Sequence, residues 1–217
     1  MARLETTVLM AAMLYWVALA ENPALPTLQL FTQTNSKGAV LTINRPYHNL
    51  GDVGFDDVTQ SICGFGLWFL YANEGFSKKS DFVLQFASPS RHCKDLEFSQ
   101  RDKVTSARYA GTEDFTHQTL TLYKDENQCG DEILVLKDNH YISHFNDEAT
   151  SFAVTGNSNW TLYDDADFGG DSACLIPFDD AGWYYGVWNE VGLGNDVVSS
   201  VKKGCHSDNI VKYDPTK

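Results

Sequence analysis

Beyond its first twenty residues the chain has no apolar run that approaches membrane length, so no spanning helix is expected there. Positive charge is scarce: 16 Lys and Arg stand against 29 Asp and Glu, for a net charge of −13. An acidic surface argues against nucleic acid and anionic membrane as partners, and it is compatible with divalent cations. No G-x-S-x-G, H-E-x-x-H, phosphate-loop or dinucleotide fingerprint occurs, so nothing points to an enzyme. Helical patterns are nearly absent. Acidic pairs such as Asp164–Asp165 and Asp179–Asp180 read as solvated loop charge, and His140 and His144 read as surface histidines because DNHYISHF is not helical.

What is present begins with a leader. Val8 to Ala20 reads VLMAAMLYWVALA, the length of a signal-peptide core, and Ala18-Leu19-Ala20 is a cleavage signal. Residues 1–20 are therefore expected to be removed on secretion, leaving a chain that starts near Glu21. Glu21 to Pro26 reads as a loose N-terminal arm. Cys63, Cys93, Cys129, Cys174 and Cys205 follow the leader, and an exported chain can oxidise them. The odd count leaves at least one thiol free or paired between chains, and two bridges among four cysteines allow three pairings. Asn159-Trp160-Thr161 is a glycosylation sequon beside a predicted strand.

One spacing recurs. Phe31 and Tyr123, Trp68 and Trp160, Tyr71 and Tyr163, and Phe76 and Phe168 are each 92 residues apart. The chain is thus a unit of about 90 residues written twice. Each unit divides again: aromatic-headed segments begin at Phe31, Tyr71, Tyr123 and Tyr163, followed by DDVTQS from Asp56, RDKVTS from Arg101, NDEATS from Asn146 and NDVVSS from Asn195. The gaps of 25, 30, 23 and 32 residues alternate short and long. The cysteines ignore the 92-residue offset, so they are additions to this scaffold.

LTI, WFLY, FVLQF, LTLY, EILVL, WTLY and ACLIPF read as strands, and their spacing predicts an all-β sandwich or barrel. GWYYGVW, from Gly182 to Trp188, reads as an aromatic-packed loop or a short helical turn. Gly111 to Gln118 reads as the linker between halves. The last quarter gives a hairpin template: Tyr163, Phe168 and Gly170, with the glycine permitting a positive φ and the aromatics stacking across the fold. Tyr71 has Phe76 but Lys78 for the glycine; Phe31 and Tyr123 keep Gly38 and Gly130 but have Ser36 and Gln128 for the aromatic. The tryptophans read as core residues.

A Y-x-x-x-x-F-x-G hairpin, four quarters alternating in length and an N/D-N/D-x-x-S/T-S run in each quarter resemble the βγ-crystallin superfamily. The resemblance implies two Greek-key β-sandwich domains, over residues 27–110 and 118–208. It also implies that each run supplies half of a two-part calcium clamp: a side-chain oxygen from its second residue, a carbonyl from its third and a hydroxyl from its fifth. In the second half these are Asp147, Glu148 and Thr150, and Asp196, Val197 and Ser199, with further carbonyls near Asp125–Glu126 and Asp165–Ala166. Calcium takes six to eight oxygens of mixed type, which such runs offer. In the first half, Gln60 replaces the hydroxyl and Arg101 sets a cation beside the proposed ion. Asp57, Val58, Asp102, Lys103 and Thr105 are therefore expected to form weaker sites or none.

The resulting expectation is a secreted, non-enzymatic protein stabilised by Ca2+. Two alternatives stand beside it. One is a secreted recognition module, lectin-like, inhibitory or toxin-related. The other is a structural crystallin with vestigial sites.

Overall fold

The computed structural model describes residues 25–77, 82–178, 183–187 and 191–212. The leader expected over residues 1–20, Lys78, Asp179–Asp180 and Trp188 lie outside the described residues. Among the described residues no helix is long and apolar enough to cross a membrane.

The fold is all-β. In chain order the strands are β1 (Thr27–Gln33), β2 (Lys37–Ile43), β3 (Ser61–Tyr71), β4 (Val83–Asp95), β5 (Ser106–Tyr109), β6 (Thr119–Asp125), β7 (Cys129–Val135), β8 (Ser151–Thr155), β9 (Trp160–Tyr163), β10 (Ser172–Ile176), β11 (Trp183–Val187), β12 (Ser200–Lys203) and β13 (Ile210–Lys212). In the first half β2-β1-β3-β4 form one sheet, with β5 also on β3. In the second half the orders are β11-β8-β6-β7 and β12-β9-β10-β13, with β13 parallel to β10.

The two halves follow one plan with a difference in continuity. β3 pairs with β1 through Ser61–Phe65 and with β5 through Trp68–Tyr71. It passes between them at a bulge beside Gly66, whose φ of 101° most other residues would resist. In the second half the corresponding stretch is split into β8 and β9, which lie in different sheets. β4 likewise runs unbroken, whereas β10 and β11 are separate strands.

Among the described residues three apolar clusters result. Trp68, Leu28, Leu30, Ile62 and Leu70 lie in the first. Trp160, Leu120, Leu122, Phe152 and Leu162 lie in the second. Trp68 and Trp160 are fully buried, as core residues at the 92-residue offset should be. The third cluster joins the halves: Leu67, Phe69, Tyr71 and Phe76 meet Tyr123, Cys129, Ala153 and Trp183. Phe69 meets Tyr123 edge to face at 5.8 Å.

Several expectations are refined. The seven predicted segments fall within or largely overlap strands. GWYYGVW is neither loop nor helical turn over its centre: Trp183–Val187 is β11, laddered to β8 from Trp183↔Thr155 to Val187↔Ser151. Cross-strand pairing outweighs its two glycines. The linker is ordered, with Phe115 buried in the shared cluster and Thr112 Oγ1 donating to the Asp114 carbonyl at 2.9 Å. Disulfides join Cys63 to Cys93 and Cys174 to Cys205, leaving Cys129 free and buried. The sequon's Thr161 is fully buried, and its hydroxyl donates to the Gly204 carbonyl at 2.7 Å.

Candidate metal centre

Each acidic/hydroxyl run forms a turn of the same conformation. The second residues Asp57, Asp102, Asp147 and Asp196 all have φ between 51° and 56°, in the left-handed region that aspartate tolerates better than most side chains. The fourth residues Thr59, Val104, Ala149 and Val198 are fully buried and anchor each turn to a core. The fifth residue's N–H donates to the backbone carbonyl of the aromatic residue that heads its own quarter: Gln60 to Phe31 at 2.8 Å, and Thr105 to Tyr71, Thr150 to Tyr123 and Ser199 to Tyr163 at 2.9 Å each.

The sixth residue is serine in all four runs, and it closes the hairpin. Ser151 Oγ accepts from the Gln128 N–H at 2.9 Å and donates to the Asp125 carbonyl at 2.6 Å. Ser200 does the same for Phe168 and Asp165, Ser106 for Phe76 and Asn73, and Ser61 for Ser36 and Gln33. Each hairpin needs such a lock because it holds two consecutive left-handed residues, such as Asn127–Gln128 and Asp167–Phe168. Gly170 follows at φ 73°, and a Cβ there would overlap Asp164 Oδ1. The paired rings are tilted, not stacked: Tyr163 and Phe168 lie 5.7 Å apart at 56°. The fourfold serine was visible in the sequence, since it and the aspartate at the second position are the two residues that never vary among the runs.

The structure brings the two runs of each half face to face and exchanges their ligand candidates. Thr150 Oγ1 donates to Asp196 Oδ1 at 3.0 Å, and Ser199 Oγ donates to Asp147 Oδ1 at 3.4 Å. So the hydroxyl of one run meets the carboxylate of the other, which spacing along a single run could not reveal. Asn146 Nδ2 donates to Asp147 Oδ2 at 2.8 Å, and Asn195 Nδ2 to Asp196 Oδ2 at 2.7 Å, fixing each carboxylate. Glu148 ties its side chain to Lys124 Nζ at 2.9 Å. A cleft of about 660 Å³ opens here, lined by Asp125, Glu126, Asn127, Thr150 and Asp196 among others, with Phe82 and Val83 from the first half. The carbonyls of Asp125 and Asp165 are engaged by the serines.

This donor set suits a hard cation. It brings together carboxylate and hydroxyl oxygens, ligand types that calcium takes at 2.3–2.6 Å. Two oxygens about 2.4 Å from one ion and separated by 3.0–3.4 Å subtend roughly 80–90°, an ordinary angle between neighbouring ligands. A hydroxyl can turn its proton away and present a lone pair.

The first half differs at both expected departures. Thr105 Oγ1 still donates to Asp57 Oδ1, at 3.3 Å. At the other pair Gln60 Nε2 donates to both oxygens of Asp102, at 3.1 and 3.0 Å. The atom facing a carboxylate must be the amide nitrogen, so Gln60 meets Asp102 as a donor in the place where the other runs have a hydroxyl. Arg101 Nε donates to the Leu96 carbonyl at 2.9 Å. Burial, the neighbouring charge of Asp56 and that of Asp102 push the Asp57 carboxyl above its usual range, although the Thr105 hydrogen bond opposes them. Val58 and Lys103 occupy the third positions of these runs.

Comparison with known proteins agrees with this architecture. Among solved structures the chain is similar to geodin, a βγ-crystallin from Geodia cydonium, at 21% identity and a TM-score of 0.63, over 82% of this chain and 99% of that one. The fold is that of the βγ-crystallins. A βγ-crystallin from Ciona intestinalis matches 39% of this chain and 98% of its own at 26% identity and a TM-score of 0.35. Protein S, in a solution structure complexed with calcium, matches 82% of this chain and 98% of its own at 16% identity and a TM-score of 0.33. The family model for peptidase inhibitor family I36 matches residues 117–175. A comparison with curated proteins finds no match.

Proposed function

We propose that the protein is an exported, non-enzymatic, calcium-binding βγ-crystallin whose second half carries two clamps that stabilise it. In this reading a leader over residues 1–20 precedes domains at 27–110 and 118–208. Asp196 and Val197 act with Thr150, and Asp147 and Glu148 with Ser199, aspartates and hydroxyls by side chain and third residues by carbonyl. The observation that carries it is the reciprocal contact of Thr150 with Asp196 and of Ser199 with Asp147, each carboxylate oriented by an asparagine. Two disulfides support export, since they persist in oxidising compartments. The ligands are mostly neutral oxygens, so affinities of roughly 10⁻⁵–10⁻³ M are expected. Calorimetric titration of the chain lacking its leader should return two ions; a stoichiometry of zero overturns the reading.

A second reading, peptidase inhibition, rests on the I36 match over residues 117–175. Inhibition assays against a panel of secreted peptidases, with and without calcium, separate the two.

A further inference from the structure

The third hairpin lacks the aromatic that its head should meet. Phe76 and Phe168 serve Tyr71 and Tyr163, but Tyr123 has Gln128 in that place. The structure supplies a partner from the other half. Arg108, on β5, is 2% exposed, and its guanidinium carbon lies 4.7 Å from the Tyr123 ring centroid and 4.6 Å from that of Phe76. Nη2 donates to the Gln128 carbonyl at 2.6 Å, Nη1 to the Gly130 carbonyl at 3.0 Å and Nε to the Tyr71 hydroxyl at 3.0 Å. That hydroxyl donates in turn to the Gln128 carbonyl. Glu132 Oε2, 3.2 Å from Nη1, balances the buried cation.

The gripped carbonyls belong to the hairpin whose residues Asp125–Asn127 line the cleft with Thr150 and Asp196; Asp147 and Glu148 border the same cleft. The fourth hairpin is held within its own half. Phe168 packs on Tyr163, and Lys202 Nζ lies 5.3 Å from the Phe168 ring centroid. The two clamps therefore differ in what fixes their hairpins.

We propose that Arg108 is a positioning residue that couples docking of the two halves to cation binding at the Thr150–Asp196 clamp, leaving the Ser199–Asp147 clamp independent. By linkage, an ion at the first clamp strengthens docking by the factor by which docking strengthens the ion. The inference rests on the calcium reading above.

Two backgrounds of the full chain isolate the clamps: Asp147→Ala keeps Thr150–Asp196, and Asp196→Ala keeps Ser199–Asp147. Calcium is titrated calorimetrically into each, with and without Arg108→Met. The substitution should weaken binding about tenfold in the Asp147→Ala background, within the usual span of coupling between sites, and leave the Asp196→Ala background unchanged. Equal weakening in both backgrounds, as a merely structural role would give, overturns the proposal, and so does no weakening in either. If Arg108→Met does not fold, Tyr71→Phe takes its place, removing the hydroxyl that bridges Arg108 to Gln128 while keeping the ring. It should weaken binding about threefold, the value of one hydrogen bond, in the Asp147→Ala background alone; any other pattern overturns the proposal. A parent chain that binds no calcium overturns the calcium reading itself. Binding by the parent without a clamp-selective change overturns only the coupling.

Discussion

In the second half each clamp aspartate receives an asparagine amide on one oxygen and a hydroxyl from the facing run on the other. In the first half Asp102 receives an amide nitrogen on both oxygens, while Asp57 has one hydroxyl and a like charge beside it. The second residue is left-handed in all four turns, so this contrast lies in the side chains that face each aspartate. A hydroxyl can switch from donor to ligand. An amide nitrogen cannot, and Gln60 thereby satisfies Asp102 in the manner of a small internal cation. One residue type at the fifth position separates a carboxylate faced by a hydroxyl from one faced by an amide nitrogen.

The largest test of this contrast removes both second-half aspartates. At calcium about 100 times its dissociation constant, each occupied site adds roughly 2.7 kcal/mol to stability. Asp147→Ala with Asp196→Ala should abolish the calcium-induced rise in melting temperature. A full response in that double variant means that the ligands lie elsewhere.

Hairpin strain comes next. Gly170→Ala in the second half combines a left-handed backbone with overlap onto Asp164, whereas Gly75→Ala in the first has only the backbone cost of about 1–2 kcal/mol, nothing lying within 4 Å of its Cβ. Gly170→Ala should therefore lower the urea midpoint more. Equal midpoints would show that the carboxylate simply moves aside.

Converting the first half toward the second is a smaller effect but a gain. Gln60→Ser frees Asp102 and restores a hydroxyl, so titration should count one more ion than in the parent chain. An unchanged count would place the defect elsewhere, with Arg101 the next residue to replace.

The smallest effect is on pH dependence. The Asp57 carboxyl is raised by burial, Asp56 and Asp102. A carboxyl with a raised folded-state pKa favours the fold at pH values below its unfolded value and loses that contribution as pH rises through its folded value. In chelator, Asp57→Asn should raise the melting temperature at pH 7 relative to the parent, and the gap should close towards pH 3. A gap independent of pH would sever it from this ionisation.

Much of this architecture could be read from the residues. The aromatic spacing exposed the fourfold repeat, the apolar segments exposed most central strands, and the paired acidic and hydroxyl residues marked four turns of one kind. Three things were not legible. The exchange of hydroxyl and carboxylate between runs depends on which turns face each other, a property of topology and not of spacing. β11 was hidden because two glycines and dense aromatics look irregular until β8 is there to pair with them. Arg108 sits in SARY, where it reads as the polar step of an alternating strand; only the neighbouring half makes that step a buried one. Gln60 was legible as a departure from the hydroxyl, but that its amide nitrogen meets Asp102 depends on which run faces it.

β3 turns apolar side chains to both sides. Trp68 and Leu70 enter the first half's own core, while Leu67, Phe69 and Tyr71 wait for Tyr123, Ala153 and Trp183. Those partners are made later. At 5–20 residues per second, a stretch of roughly 90 residues takes on the order of 5–20 s to follow on the ribosome. During that interval the nascent chain displays a greasy face with Arg108 in its midst. A charge set in an unavoidable hydrophobic stretch discourages neighbouring chains from sticking to it. The second-half groups that bury Arg108, Tyr123 and the Gln128 and Gly130 carbonyls, are thus all made after it, and only the whole chain can take it out of water.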